Sequence, residues 1–241
     1  MIAIHGAREI EGLRRAGDAA AATLAWVGAR LAPGVSTAQI DAWVRAHTAS
    51  LGGSPSQLGY HGFPAAVCTS RNDVVCHGVP REDERLADGD LVNVDVTTML
   101  GGFHGDTSAT FVIGEASREA RELVRVARAC RDAGIAVVRE GARLGDVGAA
   151  IEEIARAAGV SVVREYGGHG IGRRMHMDPH VPHVGVRGAG PRLRAGMAFT
   201  IEPMVNAGGA AVRLLGDGGL GDVDGDRRLG RHRDLITRHD Q

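Results

Sequence analysis

One layout is written twice in this chain, and it limits the fold more than any other feature. Residues 8–31 place Ile10, Leu13, Ala16, Ala20, Leu24, Val27 and Leu31 at helical spacing. Pro33-Gly34 stops that helix, and Ser36-Thr37 ahead of Ile40 caps a second one that runs to about Ser50. Roughly 110 residues later the order returns, with a helix from Arg118 to Arg139, a stop at Gly141 and a shorter helix from about Asp146 to Ala158. Strand-like runs follow each pair. In the first half they are 65–68, 74–76, 91–96 and 108–113; in the second they are 160–164, 197–201 and 210–214. No low-complexity linker separates the halves. Two helices followed by several strands, twice over, predict one α+β unit made of pseudo-repeats at about 8–115 and 116–215. Its curved, mostly antiparallel sheet is expected to carry helices on one face.

Composition removes several function classes. The 28 basic and 29 acidic side chains nearly cancel, so nothing recommends nucleic acid or an anionic membrane as the main partner. The sequence contains no lysine, so Schiff-base chemistry and a phosphate-binding P-loop lysine are excluded. Aromatic residues are only 3%, too few for a base-stacking platform. Cys68, Cys76 and Cys130 are odd in number and contain no C-x-x-C pair, which fits a reducing compartment better than a disulfide framework. The start lacks an apolar signal core and no apolar run is long enough to span a bilayer, so a cytoplasmic protein is expected.

The chemistry-bearing residues sit at strand ends. In LVNVDVTT, Val92, Val94 and Val96 take one face and leave Asn93 and Asp95 on the other. A strand carboxylate is costly to bury unless something neutralises it. HGDTSATF sets Asp106 within reach of a hairpin partner. Read alone, the two acids fit a surface turn as well as they fit a cation site. EYGGHGIG then adds His169 between glycines, and GMAFTIEP adds Glu202 at the end of an apolar strand. Two Asp, one His and one Glu make an oxygen-rich, one-nitrogen donor set, suited to Mn, Fe, Co or Zn at a reactive site more than to structural zinc. His77 and His176 stand near these motifs as candidate proton donors or oxyanion ligands.

Five segments carry a resemblance: LGYHGFPAAVCTSRNDVVCHGVP, LVNVDVT, HGDTSATF, GGHGIG and TIEPMV. In order and spacing they resemble the motifs of the type I methionine aminopeptidases, metallopeptidases of the pita-bread (creatinase-like) fold, from about residue 5 to 218. The resemblance implies removal of the initiator methionine from nascent chains with a small second residue, by a metal-activated water. It implies two divalent ions with Asp95, Asp106, His169 and Glu202 among their ligands, His77 and His176 as catalytic histidines, and Glu202 also as proton acceptor. It assigns Tyr60, His61, Phe63 and Cys68 to the methionine pocket together with His77 and His176, and Met175 stands where the family usually has an aromatic. Nascent polypeptides and the ribosome would be partners, and the chain a monomer. A related Xaa-Pro peptidase is the alternative activity.

The register of the resemblance ends abruptly. The family has a second, bridging Glu near its C-terminus, but Arg233 stands in that register here and Asp234 is the nearest acid. A frameshift in a GC-rich gene would leave such a break. Residues 219–241 are therefore expected to form a divergent, poorly ordered tail. Asp222, Asp224 and Asp226 alternate as in a calcium loop but lack its closing acid. Without the last Glu the chain is expected to hold one metal ion tightly rather than two and to be a weak peptidase, or a peptide-binding protein without activity.

Overall fold

The structure, a computed structural model, describes residues 1–223. Its elements in chain order are α1 (Ala7–Gly28), α2 (Thr37–Ser50), β1 (Ser54–Pro55), β2 (Cys68–Arg71), β3 (Val74–Cys76), β4 (Leu91–Leu100) and β5 (Phe103–Val112). The second half continues with α3 (Arg118–Ala136), α4 (Leu144–Ala157), β6 (Ser161–Val162), β7 (Gly168–Gly170), β8 (Met177–Val181), β9 (Val205–Asn206), β10 (Val212–Leu214) and β11 (Leu220–Asp222).

Each half closes its own core around a helix pair. In the first, Ala20, Leu24 and Val27 of α1 and Ile40 and Val44 of α2 pack on Val92, Val94 and Val96, the apolar face of β4. In the second, Val126 and Cys130 of α3 meet Leu144, Val147 and Ile151 of α4, with Val162 and Val181 beneath them. The duplication is also explicit in the backbone. Gly34 N–H bonds Leu86 O, Thr37 N–H bonds Glu84 O and Leu86 N–H bonds Val35 O. Gly141, Leu144 and Leu193 donate to Leu193, Pro191 and Ala142 in the same way, every position shifted by an equal number of residues.

Among the described residues the strands form four small antiparallel sheets. In the largest, β4 pairs β5 along one edge and β1 and β2 along the other; the remaining sheets are β10-β11-β3, β6-β9 and β7-β8. Helix α1 lies against the β4–β5 hairpin so closely that a Cβ on Gly105 would stand 2.2 Å from the backbone of Ala16 and Gly17. Among the described residues no helix is long and apolar enough to cross a membrane.

Several boundaries differ from the sequence expectation, each for a local reason. Residues 65–67 are not strand: Ala66 N–H is bonded by the Asp41 carboxylate of α2 at 2.6 Å, and pairing with β4 starts only at Cys68. Asp146 does not begin α4 but caps it from its first turn, accepting from the Arg143 and Gly188 N–H groups at 2.7 Å each. Residues 197–201 are extended but pair only through single bonds, such as Thr200 N–H to His169 O at 2.9 Å. Leu220–Asp222, expected in the tail, instead form β11 between β10 and β3, with Leu220 buried. Asp222 is therefore in a paired, buried strand rather than an ion-binding loop, while Asp224, Asp226, Arg233 and Asp234 lie outside the described residues.

Candidate metal centre

The pleat of β4 and the register of its hairpin bring the first two acids together. Asp95 faces Ser108 and Thr97 faces Asp106, so the two carboxylates lie diagonally on the face opposite the buried valines. The second half delivers His169 from β7 and Glu202 from the extended segment 197–202. Close approach needs Gly168, because a Cβ there would stand 2.2 Å from Thr200 O. His169 Nε2 lies 3.3 Å from Asp106 Oδ2 and 3.5 Å from Glu202 Oε1. One ligand atom from each of Asp106, His169 and Glu202 fits within 4.8 Å of the others. Asp95 adjoins this trio, close enough to Asp106 and Glu202 for their charges to act on its carboxyl.

Crowded carboxylates in a half-sealed site repel one another. Burial first, then Asp106 and Glu202, holds the Asp95 carboxyl well above the usual carboxylate range. Burial and the Asp106 charge raise Glu202 to about 7, against the bond from the Thr200 hydroxyl. Burial lowers the His169 pKa, but the Asp106 hydrogen bond and the Glu202 and Asp106 charges outweigh it and leave the ring more basic than usual. Three acids and an imidazole converging without a basic side chain among them are the donor set of a divalent cation, which would relieve this repulsion. The residues present fit the metal that the sequence motifs imply.

His77 and His176 flank the cluster along a cavity of about 940 Å³ lined by both halves, together with Asp95, Asp106, His169 and Glu202. Burial pushes the His77 ring down, and Tyr166 stacks edge-on against it with centroids 5.8 Å apart. His77 itself sits at φ 57°, a left-handed conformation one residue past the end of β3. Burial and His169 take His176 to about 4, so its ring is neutral at pH 7. Its Nδ1 is 2.8 Å from the Tyr60 hydroxyl, and its ring lies 4.2 Å from that of His169.

The expected methionine-pocket residues divide differently. Tyr60, His61, Phe63, Cys68 and Met175 do not line that cavity. Tyr60 and His61 pack ring to ring at 4.3 Å behind His176. Met175 is buried beside it in sequence, and Cys68 is buried opposite Asp95 in the β2–β4 pairing. Burial first and Asp95 second push Cys76 up to about 12 and Cys68 well above the usual thiol range, so neither is a thiolate nucleophile.

Two supporting residues escaped the sequence reading. The Thr200 hydroxyl accepts from His169 N–H at 2.9 Å and donates to Glu202 Oε1 at 2.5 Å, tying two members of the cluster together. His183, fully buried, accepts from Glu202 N–H at 3.2 Å. Thr200 had a sequence signal, being two residues before Glu202 in an extended run and so on the same face. His183 had none.

Comparison with known proteins agrees with this geometry. The profile of metallopeptidase family M24 matches residues 11–221. The chain is 46% identical over 224 residues to methionine aminopeptidase B of Synechocystis, covering 90% of this chain and 81% of that protein. It is 44% identical over 218 residues to methionine aminopeptidase of Escherichia coli K12, covering 90% and 83%. The crystal structure of methionine aminopeptidase from Rickettsia prowazekii superposes with a TM-score of 0.91 at 41% identity, over 93% of this chain and 91% of that one. Prolidase from Pyrococcus furiosus shares the fold, with a TM-score of 0.70 at 21% identity over 83% and 57%. A duplicated α+β fold, a carboxylate–imidazole cluster between its halves and this similarity along most of its length together place the chain in metallopeptidase family M24, among the methionine aminopeptidases.

Proposed function

We propose that the chain is a metal-dependent aminopeptidase that removes N-terminal methionine from nascent polypeptides whose second residue is small. The observation that carries the reading is the convergence of Asp106, His169 and Glu202, with Asp95 adjoining, at the wall of a cavity shared by both halves. These four residues would hold the metal, Mn, Fe, Co or Zn by donor type. A divalent ion there supplies a Lewis acid for the scissile carbonyl and lowers the pKa of an attacking water.

The remaining steps belong to side chains. Thr200 occupies Oε1 of Glu202, which leaves Oε2 to take a proton from the water. With the Tyr60 hydroxyl donating to Nδ1 of the neutral His176 ring, that ring carries its proton on Nε2 and donates it as a hydrogen bond to the carbonyl oxygen as charge develops. His77, kept neutral by burial, contributes a second imidazole on the same cavity. The methionine side chain is assigned to the region by His176 where Tyr60 and His61 pack, with Phe63, Cys68 and Met175 following from the family pattern rather than from the cavity lining. The cytoplasm is the setting, a monomer the form and the ribosome the place where substrates emerge. One ion is bound tightly, because the described residues offer one compact trio and the sequence has Arg233 in the register where the family carries a further acid.

Chelation followed by addition of each metal tests this reading with a Met-Ala-Ser peptide. Release of free methionine that depends on one added ion is the expected result. No hydrolysis with any of the four metals would overturn the activity, and two tightly bound ions per chain would overturn the metal count.

A further inference from the structure

We infer that His104 is a positioning residue that sets the meeting of Tyr60 with His176 across the two halves of the molecule, an inference that rests on the roles proposed above for those two side chains. His104 lies on β5, two residues before Asp106, and lines the same cavity. Its side chain and its main chain each hold a different segment. The Nδ1 atom is 2.8 Å from the Ser56 hydroxyl, at the start of the segment that leads to Tyr60. The N–H donates to Gly172 O at 2.9 Å, at the start of the segment that leads to His176.

These ties form a closed circuit. One arm runs from Ser56 to Tyr60 and belongs to the first half; the other runs from Gly172 to His176 and belongs to the second. They start on His104 and end on each other, at the 2.8 Å contact between the Tyr60 hydroxyl and His176 Nδ1. Both arms are braced elsewhere along their length. The Gln57 amide bonds Asp95 O at 2.8 Å and accepts from Thr97 N–H at 3.1 Å, and the Arg173 guanidinium sits 4.4 Å over the Phe103 ring next to His104. The arms are therefore rigid enough to transmit a shift at their origin to their tips. Chemistry that depends on a near-attack geometry is sensitive to displacements of about 1 Å. His104 touches neither the metal trio nor a substrate in this assignment, so it acts through Tyr60 and His176.

The test combines a structure with a kinetic cycle. In a crystal structure of His104→Ala, the Tyr60–His176 separation is expected to exceed hydrogen-bonding distance, with Asp106, His169 and Glu202 unmoved. This readout does not depend on activity, so it separates a failure of this inference from a failure of the proposed function. In the metal-loaded enzyme, His104→Ala should lower kcat about 10- to 100-fold with unchanged metal content. Ser56→Ala should reproduce part of that loss, and His104→Asn, which keeps a nitrogen or oxygen near Nδ1, should restore part of it. Tyr60→Phe added to His104→Ala should cost little more, because the contact it deletes is already broken. Fully multiplicative losses in that cycle, an Asn variant no better than Ala, or an undisturbed Tyr60–His176 bond in the variant structure would each overturn the inference.

Discussion

Thr200 and His176 show how much of this site depends on side chains that bind no metal directly. The Thr200 hydroxyl is at once acceptor for His169 N–H and donor to Glu202 Oε1, so it fixes the spacing between two ligands from different segments. Thr200→Val keeps the shape and removes both bonds. Loss of such outer-shell partners typically weakens metal binding about 10- to 100-fold. That loss is expected here in a metal titration, and Thr200→Ser should bind nearly as the unaltered chain. His176 has a different signature. As a donor engaged mainly as the oxyanion forms, it should affect turnover more than binding, and His176→Ala should lower kcat by about 100-fold or more with little change in KM. An unchanged kcat with a raised KM would move His176 from the chemistry to substrate binding.

At the scale of elements, the contact of α1 with the β4–β5 hairpin matters most, because β5 carries both His104 and Asp106. Two neighbouring glycines make opposite predictions there. A Cβ on Gly105 would meet the α1 backbone, which cannot rotate away, so Gly105→Ala should destabilise by about 1–3 kcal/mol, the usual range for overpacking. Gly17 lies in the interior of α1, and a methyl group added to it would have nothing within 4 Å. Gly17→Ala should therefore stabilise by about 0.5–1 kcal/mol through helix propensity. Thermal melts of the two variants, moving in opposite directions from the parent, check the packing of this layer. In the second half the helix start of α4 has a polar tie, where Asp146 accepts from the backbone N–H groups of Arg143 and Gly188.

For the whole molecule, the metal site links stability to pH. In the metal-free chain the Glu202 pKa is raised from 4.5 to about 7 by burial and by Asp106. A raised acid contributes stability that is fully present below its unfolded pKa and is lost as pH rises through its folded one. The Glu202 contribution to the stability of the metal-free protein should therefore be lost between about pH 4.5 and 7, and Asp95 shifts in the same direction, while the lowered His176 and His183 act in the opposite sense. A bound cation favours the ionised carboxylates and reverses that trend. The rise in Tm on adding metal should be larger at pH 8 than at pH 5. An equal rise at both would mean that the carboxylates are not the ligands.

The sequence by itself determined the duplicated order of helices and strands, the buried valine face of β4, and the donor types carried by Asp95, Asp106, His169 and Glu202. All of these follow from local periodicities of 3.6 and 2 residues, which every short stretch of chain expresses unaided. The tertiary structure alone decided which side chains meet across the halves. Thr200 with Glu202 was within reach of a period-2 argument, but Tyr60 with His176 and His104 with Ser56 were not. The same holds for β11, whose few residues gain a strand's hydrogen bonds only because β3 and β10 already stand on either side. Contacts of this kind depend on how two separately closed cores dock, and that docking is set by close backbone approaches, such as Gly105 on α1 and Gly168 on Thr200, that no one-dimensional pattern records.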